Sequence, residues 1–206
     1  MLVLMVSLMS HLPLVTGLAF LEKEPPAFEC LDSTLEWSTC NKTKICANNL
    51  PDFEYRPVVD EAEYIYNWIE KFDMLCEPHT RVGMLGSCYF FGTFLTILAL
   101  PILSDKLGRS MMFNITMVVS SVTQLGLMLT TSLDIALWQM VVIGMTFGGK
   151  NIVGLNYFLE FLPLKQQQST VLAYMYMEPA LTIYLAFHYQ FLDRCWFSLQ
   201  LIFLIL

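Results

Sequence analysis

Charged residues are scarce in this sequence. They make up 14% of its 206 residues, and apolar residues make up 56%, whereas an ordinary soluble domain carries about a quarter charged residues. This composition excludes a typical soluble domain and indicates a membrane protein. Bases are scarcer than acids, with 11 Lys and Arg against 18 Asp and Glu. The sequence therefore lacks the basic face with which proteins bind nucleic acid.

The residue patterns of common catalytic and metal sites are also missing. The three histidines, His11, His79 and His188, lie far apart, and none has a second ligand three or four residues away, as a zinc site on a helix needs. No serine-centred elbow occurs, and no glycine run closes with Lys-Ser or Lys-Thr to bind phosphate. The sequence predicts a protein that is not an enzyme and has no catalytic residues, metal or cofactor.

What the sequence has instead is long apolar stretches. A helix needs about 20 mostly apolar residues to cross a hydrocarbon core of ~30 Å. Five stretches satisfy this condition: residues 1–21, 82–103, 111–131, 135–159 and 169–191. A sixth begins at Trp196 and has too few residues to cross, so we expect a fragment or a truncated sequence. The first stretch has an alternative reading as a cleaved signal peptide, although it lacks a positively charged leading region.

Residues 22–79 form a large acidic loop between the first two spans. This loop holds thirteen of the eighteen acids and four of the six cysteines, which are Cys30, Cys40, Cys46 and Cys76. An even number of cysteines in an exported loop predicts two disulfides. Three pairings are possible, and free thiols are the alternative. Asn41 begins an Asn-Lys-Thr glycosylation acceptor.

The short loops indicate the orientation. With the large loop outside, Lys106, Arg109 and Lys165 lie in short inner loops, and Arg194 lies in a short outer one. Lys and Arg are enriched in cytoplasmic loops. The sequence therefore predicts a multi-pass membrane protein, placed in the plasma membrane, whose large loop is extracellular.

Two charged residues lie inside predicted spans, where a charge at the helix centre costs roughly 2.5–3.5 kcal/mol. Lys150 and Glu178 are each nine residues from the inner end of their span, or ~13 Å at 1.5 Å per residue, so the two can meet. They either neutralise each other or line a wet cavity, in which Glu178 attracts a cationic solute or exchanges a proton. Tyr174, one turn before Glu178, is a candidate for stacking on an organic cation.

Residues 103–111, LSDKLGRSM, form a charged corner between the second and third spans. Gly108 tolerates the positive φ that a tight corner needs. Asp105 is placed to face the positive N-terminal end of the next helix, and Lys106 and Arg109 to reach the anionic inner leaflet. An ordinary basic inner loop is the plain interpretation.

The order Asp-Lys-x-Gly-Arg in this corner also resembles the loop between helices 2 and 3 of the major facilitator superfamily. The match is partial. Pro101 stands where that family has a glycine, and Ser110 stands where it has a second basic residue.

Further motifs resemble the organic cation, anion and carnitine transporters of that superfamily. Residues 69–77, IEKFDMLCE, are similar to the T-E-W-D-L-V-C stretch of this branch, with Phe72 in place of Trp. Gly154, Tyr157 and Glu160 resemble the end of its helix 4, and residues 193–196 resemble its W-R-W turn before helix 6. The cysteine-bearing loop after helix 1 is also a trait of the branch. These motifs occur in the right order over almost the whole chain.

The resemblance implies an all-α membrane fold in which residues 1–206 form the N-terminal half of a transporter. This half would be a partial six-helix bundle, with the disulfide-bearing extracellular loop between helices 1 and 2 and an incomplete sixth helix. The superfamily has twelve helices in two halves, with the substrate between them near the bilayer midplane. Besides the lipid bilayer, we therefore expect a C-terminal half or a partner subunit that this chain lacks.

The resemblance also implies that Glu160 pairs with Arg109, so that Asp105, Lys106, Gly108, Arg109 and Glu160 together form an inner gate. A solvated carboxylate at the end of a helix is the alternative for Glu160.

The expected function is secondary-active or facilitative transport of small organic solutes by alternating access, with organic cations such as carnitine-like compounds favoured. Lys150, Tyr174 and Glu178 are the candidate residues for the substrate or a coupling ion. The alternative is a non-transporting receptor or accessory subunit, or an inactive truncated remnant, whose acidic loop is the working part.

Overall fold

The structure, a computed structural model, describes residues 12–31, 36–47, 54–59 and 64–205. The first predicted span contributes two short helices, α1 (Leu12–Thr16) and α2 (Leu18–Leu21). Residues 1–11, the greater part of that span, lie outside the described residues.

The large loop contains a small β-sheet. Its elements are β1 (Phe28–Leu31), β2 (Trp37–Cys40), α3 (Lys42–Ala47), β3 (Tyr55–Pro57), α4 (Trp68–Lys71) and α5 (His79–Val82). β1 lies between β2 and β3 and is antiparallel to both. The chain is mostly helical, as predicted, but the sheet corrects the expectation of an all-α fold. Strands of three or four residues are too short to give a clear alternation of apolar and polar residues.

The four cysteines of the loop form two pairs at disulfide-bonding distance. Cys30 pairs with Cys40, with a Cα–Cα distance of 5.8 Å, and Cys46 pairs with Cys76, with a Cα–Cα distance of 5.4 Å. The first pair connects β1 to β2, and the second connects α3 to the segment that leads into α5. Of the three pairings left open by the sequence, the structure selects this one.

The rest of the chain is helical almost throughout. Its elements are α6 (Met84–Leu107), α7 (Arg109–Leu129), α8 (Leu133–Phe147), the π-helix π1 (Gly148–Gly154), α9 (Leu155–Glu160), α10 (Leu164–Phe187), the π-helix π2 (His188–Leu192) and α11 (Trp196–Ile205). Among the described residues, three continuous segments are long and apolar enough to cross a membrane: His79–Leu107, Arg109–Leu129 and Leu164–Leu192. They correspond to the predicted spans 82–103, 111–131 and 169–191.

The predicted span 135–159 is also helical, because α8, π1 and α9 follow one another without a break. This segment is not among those that meet the composition of a membrane span in the part of the chain that the structure describes. Lys150, Asn151 and the glycines of π1 lower its hydropathy. The predicted sixth span begins at Trp196 as expected and gives the short apolar helix α11.

The charged corner is tighter than predicted. Asp105 and Lys106 belong to α6, which continues to Leu107, and α7 begins at Arg109. Gly108 alone separates the two helices, with φ of 97°, in the region that glycine adopts without steric cost. Hydropathy marks only the apolar part of a helix, so the charged final turn of α6 was assigned to the loop.

Close packing of α6 against α8 forms the centre of the helical part. A Cβ atom built at Gly92 would overlap the carbonyl oxygen of Val141, and one built at Gly144 would overlap the carbonyl oxygen of Tyr89. α7 packs against α8 and π1, α10 packs against α1, and α11 contacts both α1 and α7. Small residues at such contacts let helices approach closely in lipid.

Residues 64–77, which we call the base segment, attach the large loop to the helices. Asn67, which is fully buried, donates from Nδ2 to the carbonyl oxygen of Phe20 at 3.0 Å, and its Oδ1 accepts from Ile69 N at the start of α4. Tyr66 N donates to Arg194 O at 2.9 Å, and Trp196 N donates to Tyr66 O at 3.2 Å. The base segment is thus bonded to the end of α2 and to the start of α11.

Lys71 adds a third attachment. Its Nζ donates to the carbonyl oxygens of Leu127 and Met128, at 2.6 and 3.1 Å, and lies 4.4 Å from the centre of the Trp196 ring. The last carbonyls of a helix have no partner within it and form its negative end. An ammonium group therefore satisfies both the hydrogen bonding and the charge at the end of α7.

Candidate functional site

Glu178 lies on α10 with an exposed side chain. Its carboxylate interacts electrostatically with the hydroxyls of Tyr89 on α6 and Tyr174 on α10. Tyr174, one turn before Glu178, is half-buried and donates from Oη to Asn151 Oδ1 on π1. The structure thus brings together one carboxylate and two tyrosines from two helices.

Tyr89 is the most buried member of this group. Its side chain is 1% exposed, and its Oη has no hydrogen-bond partner in the part of the chain that the structure describes. The nearby Thr93 directs its hydroxyl proton to the carbonyl oxygens of Tyr89 and Gly144, at 3.0 and 3.3 Å. A buried hydroxyl without a partner costs about 1–3 kcal/mol, so this oxygen is a ready contact for a polar group that enters the site.

Lys150, also on π1, contacts α7. Its Nζ donates to Ser120 Oγ on α7 at 2.6 Å, and Gln124 Nε2 donates to the same oxygen at 3.1 Å. The ion pairs formed between described residues do not join Lys150 to Glu178. The contact that the structure shows for Lys150 Nζ is thus with α7, and the mutual neutralisation of Lys150 and Glu178 stays a prediction.

Two adjacent residues of π1 contact different helices. Lys150 reaches α7, whereas Asn151 reaches α10. π-helical turns occur mostly as local widenings of α-helices, often at functional sites. Gly149 makes the approach to α7 possible, because a Cβ atom there would overlap the side chain of Thr116.

The predicted inner gate residues lie together at the opposite end of the helices from the large loop. Arg109 Nη1 contacts Glu160 Oε1, and Arg109 Nη2 lies 3.7 Å from Asp105 Oδ1. The three side chains are exposed, so each pair contributes modestly, at about 0–1 kcal/mol. A cavity of ≈ 160 Å³ lies beside them, between Asp105 and Arg109 on one side and Val153 and Asn156 on the other. Lys106 is exposed at the last turn of α6.

Lys71 and Glu70 are among the groups of the large loop whose pKa values are shifted. Burial lowers the pKa of Lys71 to about 8. Burial also raises the pKa of Glu70, although the hydrogen bond that this carboxylate accepts from Tyr64 Oη at 3.1 Å acts in the opposite direction. Asn41 is exposed just before α3, where a glycan has room. Among the described residues, no group of three His, Cys, Asp or Glu side chains is placed to hold a metal ion.

Sequence reasoning missed Tyr89, Ser120, Gln124 and Asn151. Ser120 and Gln124 are four residues apart and therefore on one face of a helix, and two polar residues on one face of an apolar span were a usable signal. The sequence contained no signal that Tyr89 belongs to the site, because a tyrosine near the end of a span usually lies in the aromatic belt at the membrane interface.

Apolar helices long enough to cross a bilayer, with carboxylate, hydroxyl and amide groups between them, define a multi-pass membrane protein. The family described as Sugar (and other) transporter matches residues 42–179. The chain belongs to this family, which is part of the major facilitator superfamily, and the membership supports transport of small solutes across a membrane. No individual curated protein matches the chain.

Proposed function

We propose that this chain forms one half of a secondary-active or facilitative carrier of small organic solutes, and that its preferred solutes are organic cations, including carnitine-like compounds. The exposed carboxylate of Glu178, which interacts electrostatically with the hydroxyls of Tyr89 and Tyr174, supports this proposal most directly. A carboxylate attracts a positively charged solute, and tyrosine rings favour cations over their faces.

The position of the carboxylate supports a solute site. A charge inside a span is expensive and is retained mainly where it faces other helices or a wet cavity. Glu178 lies on α10 within the apolar segment Leu164–Leu192. A second half, from the same polypeptide or from a partner subunit, would close the site on the side that α10 leaves open.

The inner gate fits alternating access. Arg109 connects α7 to the end of α9 through Glu160 and stays near Asp105 on α6. Opening the site toward this end of the helices would require the Arg109–Glu160 contact to change. The proposed gate therefore acts at the end away from the large loop, and that end would face the cytosol of a cell whose plasma membrane holds the protein.

Uptake measurements test the proposal. Cells that express the chain together with its second half are supplied with radiolabelled tetraethylammonium, with the anion para-aminohippurate and with glucose. We expect uptake of the cation to exceed that of the other two. Glu178→Gln should lower cation uptake about tenfold, which corresponds to about 1.4 kcal/mol, while the amount at the cell surface stays constant.

The matched control is Glu54→Gln, which removes one exposed carboxylate from the large loop and should leave uptake unchanged. If Glu178→Gln lowers uptake and surface amount equally, Glu178 is a folding residue and the proposed role is wrong. Preferential uptake of glucose would instead assign the chain to a neutral substrate class.

A further inference from the structure

A cavity lies in the large loop beside the predicted glycosylation site. Its volume is ≈ 320 Å³, within the range of about 300–1,000 Å³ in which proteins hold small ligands. Phe28 on β1 and Cys40 on β2, which are partners in the sheet, contribute to its lining. Asn41 lines the same cavity, so a sugar attached to its side chain starts at the cavity wall.

Two separate segments of the chain line this cavity. Residues 24–28 lead from α2 into β1, and residues 39–42 lead from β2 into α3. Lys42 Nζ forms an ion pair with Glu24 Oε1 and so connects the two segments. Both side chains are partly exposed, and an ion pair in contact with water is weak. A ligand in the cavity would add contacts to both segments.

The backbone of Asn41 is fixed in position. Its carbonyl oxygen accepts hydrogen bonds from Lys44 N at 2.9 Å and from Ile45 N at 3.2 Å, and the preceding residue, Cys40, is paired with Cys30. A short tether gives the attached group an effective concentration on the order of millimolar at a neighbouring site. Weak contacts are therefore enough to hold the first sugar of a glycan in the cavity.

The lining suits N-acetylglucosamine, the sugar that joins such glycans to asparagine. Its ring has an apolar face of C–H groups, for which Pro25 and Pro26 provide apolar surface. Its hydroxyl and amide groups need hydrogen-bond partners. The carboxylate of Glu24, the ammonium of Lys42 and the hydroxyl of Thr39, all at the cavity, include both donors and acceptors.

We propose that this cavity holds the first sugar of a glycan on Asn41, and that this sugar connects residues 24–28 to residues 39–42 as a structural part of the large loop. This role is independent of the proposed transport function, and it requires the predicted glycan on Asn41. A glycan that only covered the surface would not act through the single sugar next to the protein.

The thermal unfolding midpoints of three forms of the full chain in detergent test the proposal. The first carries an intact high-mannose glycan, the second is trimmed by an endoglycosidase to one N-acetylglucosamine, and the third is Thr43→Ala, which lacks the acceptor sequence. We expect equal midpoints for the first two. The third should unfold about 2–4 °C lower, the shift that a small loss of stability causes in a chain of this length.

Thr43→Ser keeps the acceptor sequence and is the control, which should unfold like the unmodified chain. If the single-sugar form unfolds at the midpoint of Thr43→Ala, the first sugar does not stabilise the loop and the proposal is overturned. An endoglycosidase that leaves the mass of the unmodified chain unchanged would overturn it too, because no glycan would be present. Should Thr43→Ala not fold, enzymatic removal of the whole glycan from the folded chain supplies the third form.

A proline variant tests whether the sugar lies in this cavity. Pro26→Ala removes apolar surface from the lining and should reduce the midpoint difference between the single-sugar form and Thr43→Ala. Its effect on the polypeptide itself is common to both forms and cancels in this comparison. Pro78→Ala, at the start of α5 and outside the cavity, should leave the difference unchanged. If Pro26→Ala also leaves it unchanged, the sugar lies elsewhere and the proposal is wrong.

Discussion

At the scale of single residues, Gly92 and Gly144 determine how closely α6 and α8 approach. Each glycine faces a backbone carbonyl of the other helix, at Val141 and Tyr89 respectively. Lipid chains are as apolar as the side chains they touch, so helices in a membrane associate through close packing and polar contacts. A single added methyl group at this contact must push two backbones apart.

We therefore expect Gly92→Ala to destabilise the protein by about 1–3 kcal/mol, the usual cost of overpacking. Gly86→Ala is the matched control on the same helix, because the nearest atom to its added Cβ is Leu18 Cδ1 at 3.9 Å. Replacing glycine with alanine inside a helix is favourable by roughly 0.5–1 kcal/mol when there is room. Thermal unfolding in detergent should show a lower midpoint for Gly92→Ala and an equal or higher one for Gly86→Ala. Equal midpoints would contradict the backbone contact.

Glycines within apolar spans are compatible with close approach of helices, but nothing in the sequence indicates which carbonyl each glycine faces. The same limit applied to Lys150 and Glu178. Their depths follow from counting residues along a helix, whereas their directions depend on helix rotation and on the π-helix, and no pattern in the sequence indicated that turn. Tyr174 and Glu178 do lie together, because residues four apart share a helix face.

At the scale of elements, the base segment connects the large loop to three helix ends. Asn67 bonds to the end of α2, Tyr66 to the start of α11, and Lys71 to the end of α7. The Cys46–Cys76 pair connects this segment to α3. The sheet, the disulfides and the helices are therefore parts of one connected structure.

Lys71→Met should loosen the attachment at α7, since Met keeps the apolar length of the side chain and removes the donor. We expect a loss on the order of 1 kcal/mol, the typical net contribution of a hydrogen bond. Limited proteolysis should then cut the loop faster. Lys44→Met, an exposed lysine in α3, is the control and should digest at the original rate. Identical rates for all three proteins would show that Lys71 does not anchor the loop.

The lowered pKa of Lys71 predicts a pH dependence. Burial brings the pKa to about 8, against 10.5 for an ordinary lysine. Between these two values the unfolded chain binds more protons than the folded one, so the contribution of Lys71 to stability rises with pH across this window. Below pH 8 the cost of burying the charge is fully present. With free thiols blocked, the unfolding midpoint of the unmodified chain should rise relative to that of Lys71→Met from pH 8 to 10.5. If the difference between the two unfolding midpoints stayed constant over this pH range, the Lys71 ammonium would be solvated and the prediction would be wrong.

At the scale of the whole molecule, the large loop and the Gly108 corner lie at opposite ends of the long helices. α6 runs from the base segment to Gly108, and α7 returns from Arg109 to the carbonyls that Lys71 contacts. With the helices crossing a bilayer, these two regions are on opposite sides of it.

We predict that Asn41 carries a glycan in cells and that a short epitope inserted at Gly108 is reached by antibody only after the plasma membrane is permeabilised. Glycosidase treatment should lower the mass of the unmodified chain and leave the mass of Asn41→Gln unchanged. Antibody access to the epitope should be the same in both proteins. Antibody binding at Gly108 in intact cells that also carry the glycan would refute the topology and, with it, the inner position of the gate.

The sequence located three of the spans and the start of α11 to within a few residues, because each depends on a long apolar run that composition reveals directly. It missed the strands of the large loop and the attachments of the base segment. Those contacts join residues far apart in the chain, such as Tyr66 and Arg194, and nothing local in the sequence signals them. The fourth helical segment was predicted from its length, although its polar π-helix makes it less apolar than the others.

The pairing of Tyr66 with Arg194 and Trp196 sets an order on biosynthesis. A ribosome that adds ~5–20 residues per second makes Arg194 on the order of ten seconds after Tyr66. In that interval Cys46 and Cys76 have already been synthesised, whereas the strand partner of Tyr66 does not yet exist. The Cys46–Cys76 pair can therefore form before the base segment bonds to the start of α11, and Trp68 has no contact with Trp196 until then.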